Sequence, residues 1–357
     1  MSDLHSFKLL DAANATGHIK TADGKLRVIS NSYEQAIAEG DVTGHEAFHR
    51  SGYNPLVVNA VEDVWPVGGI YTYPPDAGVQ MELYCADNTN DIGTAIKSGT
   101  SDTCTATQLT DADVDFGTGG TVVEVGDCLL LDGDKEHAII TVVAAHTLTY
   151  VMAKPGLTPT GIQAYRVVDA STTTGIKVLS LHYLDANYAE GKEFLITKGN
   201  TEVLTVATTI RRVARLHTVF AGTGGSAAGI IDLRATGNTP VYTRILAGRN
   251  GGQRALFTVP AGKIGYIVSW HAANVSAAAN HYGEHRLMVT TDDGWHHLPG
   301  VFIVKDILAT VDGTVAIHYS VPIRLPSKCD VRVQVIADAS NANLAVTSYF
   351  AGWIETA

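Results

Sequence analysis

Fourteen histidines are the most conspicuous chemistry-bearing side chains, and five of them (His271, His281, His285, His296, His297) fall near Asp292 and Asp293. Imidazoles and carboxylates converging from fixed directions hold zinc or iron, and His281-x-x-x-His285 would set two ligands on one helical face. The surrounding NHYGEHRLMV places a glycine inside that interval and then alternates like a strand, which is the wrong geometry for the pair. These histidines are expected in polar loops, with a structural metal at a symmetry axis as the alternative, and no metal or cofactor is expected.

Other catalytic signatures are weak. No G-x-S-x-G elbow and no G-x-x-x-x-G-K-[ST] phosphate loop occurs. Gly222, Gly224 and Ala227 in GTGGSA match a relaxed dinucleotide fingerprint, but the following GIIDLRATGN is β-branched and broken by glycine, so it reads as a turn between strands. Asp134 and Glu136 in DGDKEH, like Asp292 and Asp293, read as turn residues. In TTIRRVARLHT, strand spacing puts Arg211, Val213 and Arg215 on one face and Arg212 and Ala214 on the other, so the arginines read as solvated edge positions. The expectation is a protein that is not an enzyme.

Composition narrows the partners. With 25 basic and 36 acidic residues in 357, the net charge of −11 argues against a surface made for nucleic acid or anionic membrane. Charged residues are only 17% of the chain, below the usual value of about 25%. Broad contacts with other protein chains would account for that, since interface cores are depleted in charge. The start, MSDLHSFKLLDAANATGH, shows neither a basic nor an apolar leader region, and no apolar run has membrane-helix length. A non-secreted product without membrane insertion is expected, so Asn14 and Asn274 match the glycosylation pattern by chance. Cys85, Cys104, Cys128 and Cys329 stand far apart and are expected to be reduced, buried thiols.

The elements that must position these residues are strands. Ser32 and Gln35 have capping-box spacing, and Tyr33 to Glu39 followed by Gly40 read as one short helix. Beyond it, Val331, Val333 and Val335 alternate with Arg332 and Gln334, and Leu179, Leu181 and Tyr183 alternate likewise, giving one buried and one wet face. Asp132-Gly133, Asp293-Gly294 and Asp312-Gly313 read as turns of antiparallel hairpins. The fold class expected is all-β: antiparallel β-sandwich modules, jelly-roll or immunoglobulin-like, with an irregular N-terminal arm and a small inserted β-barrel-like domain. The boundaries are 1–78 for the arm, 79–90 plus 171–236 for the first sandwich, 91–170 for the insert, and 237–357 for a C-terminal sandwich or the rest of the first. The arm is glycine- and proline-rich yet carries Phe48, Tyr53, Trp65, Tyr71 and Tyr73, expected as docking contacts unless they cover the sandwich of their own chain. Trp270, His271, Trp295 and His296 are expected in exposed loops that could meet a glycan.

A family resemblance follows from longer segments. Residues 181–235 contain a Leu184-Asp185-Ala186 turn, the hairpin LITKGNTEV, the strand Ile210-Arg211-Arg212-Val213 and a glycine-rich turn before Ile231-Asp232-Leu233-Arg234. This order resembles a β-sandwich repeat of virion structural proteins of tailed bacteriophages, with a partial match at the hairpin. AIAEGDVTGHEAFHRSGYNP followed by EDVWPVGGIYTYP is similar to the segment preceding that sandwich. The resemblance covers about 40–85 and 172–235 well, the C-terminal part more loosely and the insert hardly at all. It implies a virion protein made in the host cytoplasm: an oligomeric, by analogy trimeric, appendage of tail, collar or fibre base. Its partners would be copies of itself and other capsid, neck or tail proteins. The alternatives are a head-decoration protein and a receptor- or carbohydrate-binding module for a host surface glycan.

Overall fold

The computed structural model describes residues 19–22, 25–28, 33–57, 60–117, 122–159, 161–170, 173–276, 282–290, 301–338 and 344–357. In chain order the first elements are β1 (Ile19–Ala22), β2 (Lys25–Val28), α1 (Tyr33–Ala38), β3 (His45–Val57), β4 (Val61–Asp63) and β5 (Met81–Cys85). The next seven strands are β6 (Ala95–Thr100), β7 (Thr103–Cys104), β8 (Gln108–Thr110), β9 (Cys128–Leu131), β10 (Glu136–Ala144), β11 (Thr147–Met152) and β12 (Ala164–Val168). Then come β13 (Ile176–Asp185), β14 (Glu190–Ile196), β15 (Val203–Leu204), β16 (Ile210–Ala221), β17 (Ile231–Ala235) and β18 (Val241–Ile245). The chain ends with β19 (Leu256–Thr258), β20 (Lys263–Ser276), β21 (Tyr282–Val289), β22 (Ile303–Val311), β23 (Gly313–Leu325), β24 (Asp330–Ala337) and β25 (Leu344–Thr356). All named strand pairs are antiparallel, and the protein is all-β.

Three packed units are nested in one another. The outermost is a two-sheet sandwich with strand orders β23-β20-β25-β3 and β19-β24-β21-β22, which is jelly-roll connectivity. Both β4 and β19 pair with β24, at Gln334–Ile336 and Asp330–Arg332 respectively. Between them Val64 N–H donates to Val333 C=O (2.9 Å), Val333 N–H to Ala255 C=O (3.0 Å) and Ala255 N–H to Val64 C=O (3.0 Å). One jelly-roll strand is therefore interrupted at Val64 and resumes at Ala255. Phe48, Phe257, Trp270, Leu287, Val333 and Phe350 fill the space between the sheets.

Inside that interruption sits a second sandwich, β14-β13-β16 against β15-β5-β17-β18, closed over Leu83, Leu179, Leu181, Leu216 and Leu233. The third unit emerges from its β5–β13 connection. Its sheet runs β6-β12-β9-β10-β11-β8-β7, and its two end strands are one stretch of chain bent at Ser101 and Asp102. Ser101 N–H donates to Gln163 C=O and Asp102 N–H to Thr110 C=O, both at 2.8 Å, so the sheet rolls shut as a barrel around Phe116, Leu129, Ile140, Leu148 and Tyr165. The neck is held by Asp91, fully buried, whose carboxylate accepts the N–H groups of Ile176 (2.8 Å), Ala228 (3.1 Å) and Gly229 (2.8 Å). Cys128, Leu130 and Val168 of the barrel pack on Val178, Phe194 and Ile196 of the second sandwich. That contact is why β13 buries both of its faces rather than one.

The segment read as an N-terminal arm is corrected by this arrangement. Strand β3, thirteen residues long, completes the four-stranded jelly-roll sheet by pairing with β25, and β4 pairs with β24. The boundary near 237 also moves, because β18 pairs with β17 and belongs to the second sandwich. The helix ends where the sequence stops it: Gly40 has φ +80° and its N–H donates to Ile37 C=O at 3.0 Å. Asp312, at φ +37°, is a corner rather than a hairpin tip, since β22 pairs with β21 in one sheet and β23 with β20 in the other. Between Asp132 and Lys135 the left-handed residue is Lys135 (φ +56°). Asp293-Gly294 and Ser32 lie outside the described residues.

Candidate functional site

The two sandwiches meet along a cleft of about 680 Å³. One wall is edge strand β3, the other is β13 and β16, and residues 249–254 form the connection beneath them. This connection is stitched to both sides: Thr218 N–H donates to Asn250 C=O (2.8 Å), Gly252 N–H to Leu216 C=O (2.9 Å) and Tyr53 N–H to Gln253 C=O (3.3 Å).

A β-bulge decides what faces the cleft. Strand β16 pairs with β13 as Val213↔Tyr183 and then Arg215↔His182, which leaves Ala214 as the extra residue. Val213 and Leu216 both enter the core, so Arg215 and His217 share the opposite face with His182. The expectation that Arg211, Val213 and Arg215 share a face fails for this reason. Arg211 pairs with Asp76, and Arg212 is not solvated at all: it is buried and binds Asp330 of β24 through two hydrogen bonds of 2.9 and 2.8 Å, tying one sandwich to the other.

The cleft concentrates positive charge. Arg50, Arg215, Arg249 and Arg254 line it, and none has a carboxylate partner among the described residues. Arg254 is 6% exposed, and its guanidinium donates only to neutral oxygens: Tyr71 Oη (3.2 Å), Tyr242 C=O (3.1 Å) and Val213 C=O (2.6 Å). Arg50 lies over the Phe257 ring, 5.0 Å from its centroid. Burial, then Arg254 and Arg215, lower the Arg50 guanidinium to about 10. The His182 and His217 rings stand 5.3 Å apart. Burial followed by neighbouring cations lowers them to about 4 and about 3, so both are neutral at pH 7. Glu46 and Glu190 also line the cleft; both are exposed, and neither pairs with these arginines.

The expected contact residues fall elsewhere. Phe48 is buried and stacks on Phe257 at 4.3 Å, inside the jelly roll. Trp65 and Tyr71 are buried and Tyr73 half-buried; they pack edge to face at 5.1 and 4.8 Å and, with Leu256, cover the outer face of β19 and β24. Arg332, expected to be wet, lies beneath that cover over Phe302, 3.8 Å from its centroid. Tyr53 is half-buried in β3. These five residues therefore serve their own chain's packing rather than a docking arm. Trp270, expected in an exposed loop, is a fully buried strand residue whose Nε1–H donates to Ser348 Oγ at 2.9 Å, and His271 is half-buried against Tyr349 at 4.1 Å. Trp295 and His296 lie outside the described residues, as do His281, His297, Asp292 and Asp293. His285, expected in a polar loop, is fully buried in β21.

Among the described residues no group of three His, Cys, Asp or Glu side chains could hold a metal ion, and no helix is long and apolar enough to cross a membrane. All four cysteines are buried, and burial pushes the Cys128 thiol up to about 12. The segment 222–230 connects β16 to β17 without a helix. Of the cleft arginines the sequence points only to Arg215, as a solvated edge position, although LAGRNGGQRALFTVPAGK carries Arg249, Arg254 and Lys263 with no acidic residue beside them. Comparison with protein-family models, with curated proteins and with solved structures finds no match.

Proposed function

We propose that this protein is a non-enzymatic structural subunit of a tailed-phage virion, an oligomeric appendage of the tail, collar or fibre base. The observation that carries the reading is the open flank of the jelly roll. Among the described residues both sheets end there in edge strands, β22 and β23, each paired on one side only and joined by the single residue Asp312. Ile307 (51% exposed) and Val311 (56%) face solvent on β22. On β23 the pairing with β20 jumps from Ile323↔Ile267 to His318↔Ser269, and the intervening bulge pushes Val321 out to 80% exposure. Long apolar edges invite pairing with another chain, and a second copy presents the same edge under rotational symmetry. Jelly rolls recur in viral capsid domains, which supports the setting, while the resemblance in 40–85 and 172–235 supports the tailed-phage class.

Two measurements test the reading. Native mass spectrometry of the chain should show an oligomer that Ile307→Lys with Val321→Lys converts to monomer; a monomeric parent that stays single in the particle overturns it. Gold-labelled antibody against the barrel, residues 95–168, should mark one vertex or the tail of intact particles. Label spread over the shell would instead make this a head-decoration protein, and absence of label would remove the protein from the virion.

A further inference from the structure

We propose that the cleft between the two sandwiches binds a small organic ligand through an oxyanion, either a carboxylate or a phosphate. This inference does not rest on the virion reading.

Most of the described arginines outside the cleft are neutralised. Arg166, Arg211, Arg212, Arg234, Arg244, Arg286 and Arg332 each pair with a carboxylate. Among the described residues Arg50, Arg215, Arg249 and Arg254, in a chain with a net charge of −11, gather around one cavity with no such partner. Taking a guanidinium out of water is costly unless a counter-charge replaces the lost solvation, and Arg254 is buried against neutral oxygens alone. Three buried polar atoms of the lining, Arg50 Nε, His217 Nδ1 and Gln253 Oε1, have no hydrogen-bond partner among the described residues. An oxyanion would take the Arg50 donor, and a ligand hydroxyl could meet Gln253. Neutral His182 and His217 can each donate from one ring nitrogen and accept at the other.

The volume suits a compact organic molecule, since ligand cavities run from about 300 to 1,000 Å³. Phe257 and Ile354 contribute an apolar wall on which the uncharged part of the ligand can rest. The cavity is bounded by paired strands of two sandwiches that Arg212 and Asp330 bolt together, so its walls are held before a ligand arrives.

The test is calorimetric titration of the full chain with inorganic phosphate and, separately, with glucuronate, at constant ionic strength. Saturable binding of one or both is expected; phosphate alone identifies a phosphate site, glucuronate alone a carboxylate site, and both a general oxyanion site. Arg215 and Arg249 are exposed, so Arg215→Ala with Arg249→Ala should fold normally by circular dichroism and weaken binding by about tenfold or more. Arg211→Ala, which removes a paired arginine outside the lining, should leave binding unchanged. No saturable binding of either anion at concentrations up to about 50 mM, well above a millimolar Kd, overturns the proposal. So does a double variant that binds as tightly as Arg211→Ala.

Discussion

Arg212→Ala probes the bolt that holds the cleft walls together. The guanidinium binds Asp330 through Nε–Oδ1 at 2.9 Å and Nη2–Oδ2 at 2.8 Å, with the two side chains 10% and 8% exposed. It also lies over Tyr73, 4.5 Å from the ring centroid. Truncation leaves Asp330 buried with the Thr258 hydroxyl as its remaining side-chain donor at 2.5 Å. Breaking one side of a buried pair costs about 3–5 kcal/mol because the other charge stays desolvated and alone. At this depth solvent screens little of that, so the loss should persist in high salt. Replacing both partners by apolar residues, Arg212→Met with Asp330→Leu, removes the charge problem and should recover most of the loss, with a coupling energy of about 2 kcal/mol or more in the double-mutant cycle. Urea unfolding followed by tryptophan fluorescence measures Arg212→Ala, the double variant and the two single variants of its cycle. A single-variant cost below about 1 kcal/mol, the range of exposed pairs, would refute the reasoning. A double variant as unstable as Arg212→Ala would refute it equally.

Gly52 lies where the jelly-roll strand breaks and resumes: a Cβ there would stand 2.2 Å from Val64 O and 2.4 Å from Ala255 N. Gly52→Ala should cost about 3 kcal/mol or more, since both obstacles are backbone, and a denaturation midpoint equal to the parent's would contradict the close approach. His285 is fully buried with neither ring nitrogen bonded among the described residues, and burial lowers it to about 4. Its folded value lies below the unfolded one of about 6.5, so the unfolded chain takes the proton first; stability is full above pH 6.5 and falls by up to about 3 kcal/mol as pH drops toward 4. His285→Leu should flatten that part of the pH–stability curve, and an unchanged slope would count against it. Ile307→Lys with Val321→Lys should dissociate the oligomer and abolish the dependence of the unfolding midpoint on protein concentration, and a variant that keeps that dependence would count against the edge contact.

Local signals were legible wherever the determinant is local. Valines at 331, 333 and 335 alternate because a strand's side chains do, and all three are buried in the jelly-roll core. Gly40 ends the only helix among the described residues because its backbone tolerates a positive φ. The lack of helical periodicity beyond it sufficed for an all-β class. What lay beyond the sequence pattern depends on which strand becomes whose neighbour. Period-two spacing placed Arg215 beside Val213, but the extra residue at Ala214, visible only in the pairing with β13, turns Arg215 and His217 into the cleft. The aromatics of residues 48–73 were legible as a cluster that must cover something; only the split strand, left at Val64 and resumed at Ala255, decided that they cover their own chain. Arg212 and Asp330, 118 residues apart, could not be matched by spacing, because a charge pair at that separation is set by the packing of two sandwiches. Alternation and turn chemistry act over a few residues and can be read along the chain. Register, bulges and nested connections are settled by long-range burial, and these are what built the cleft.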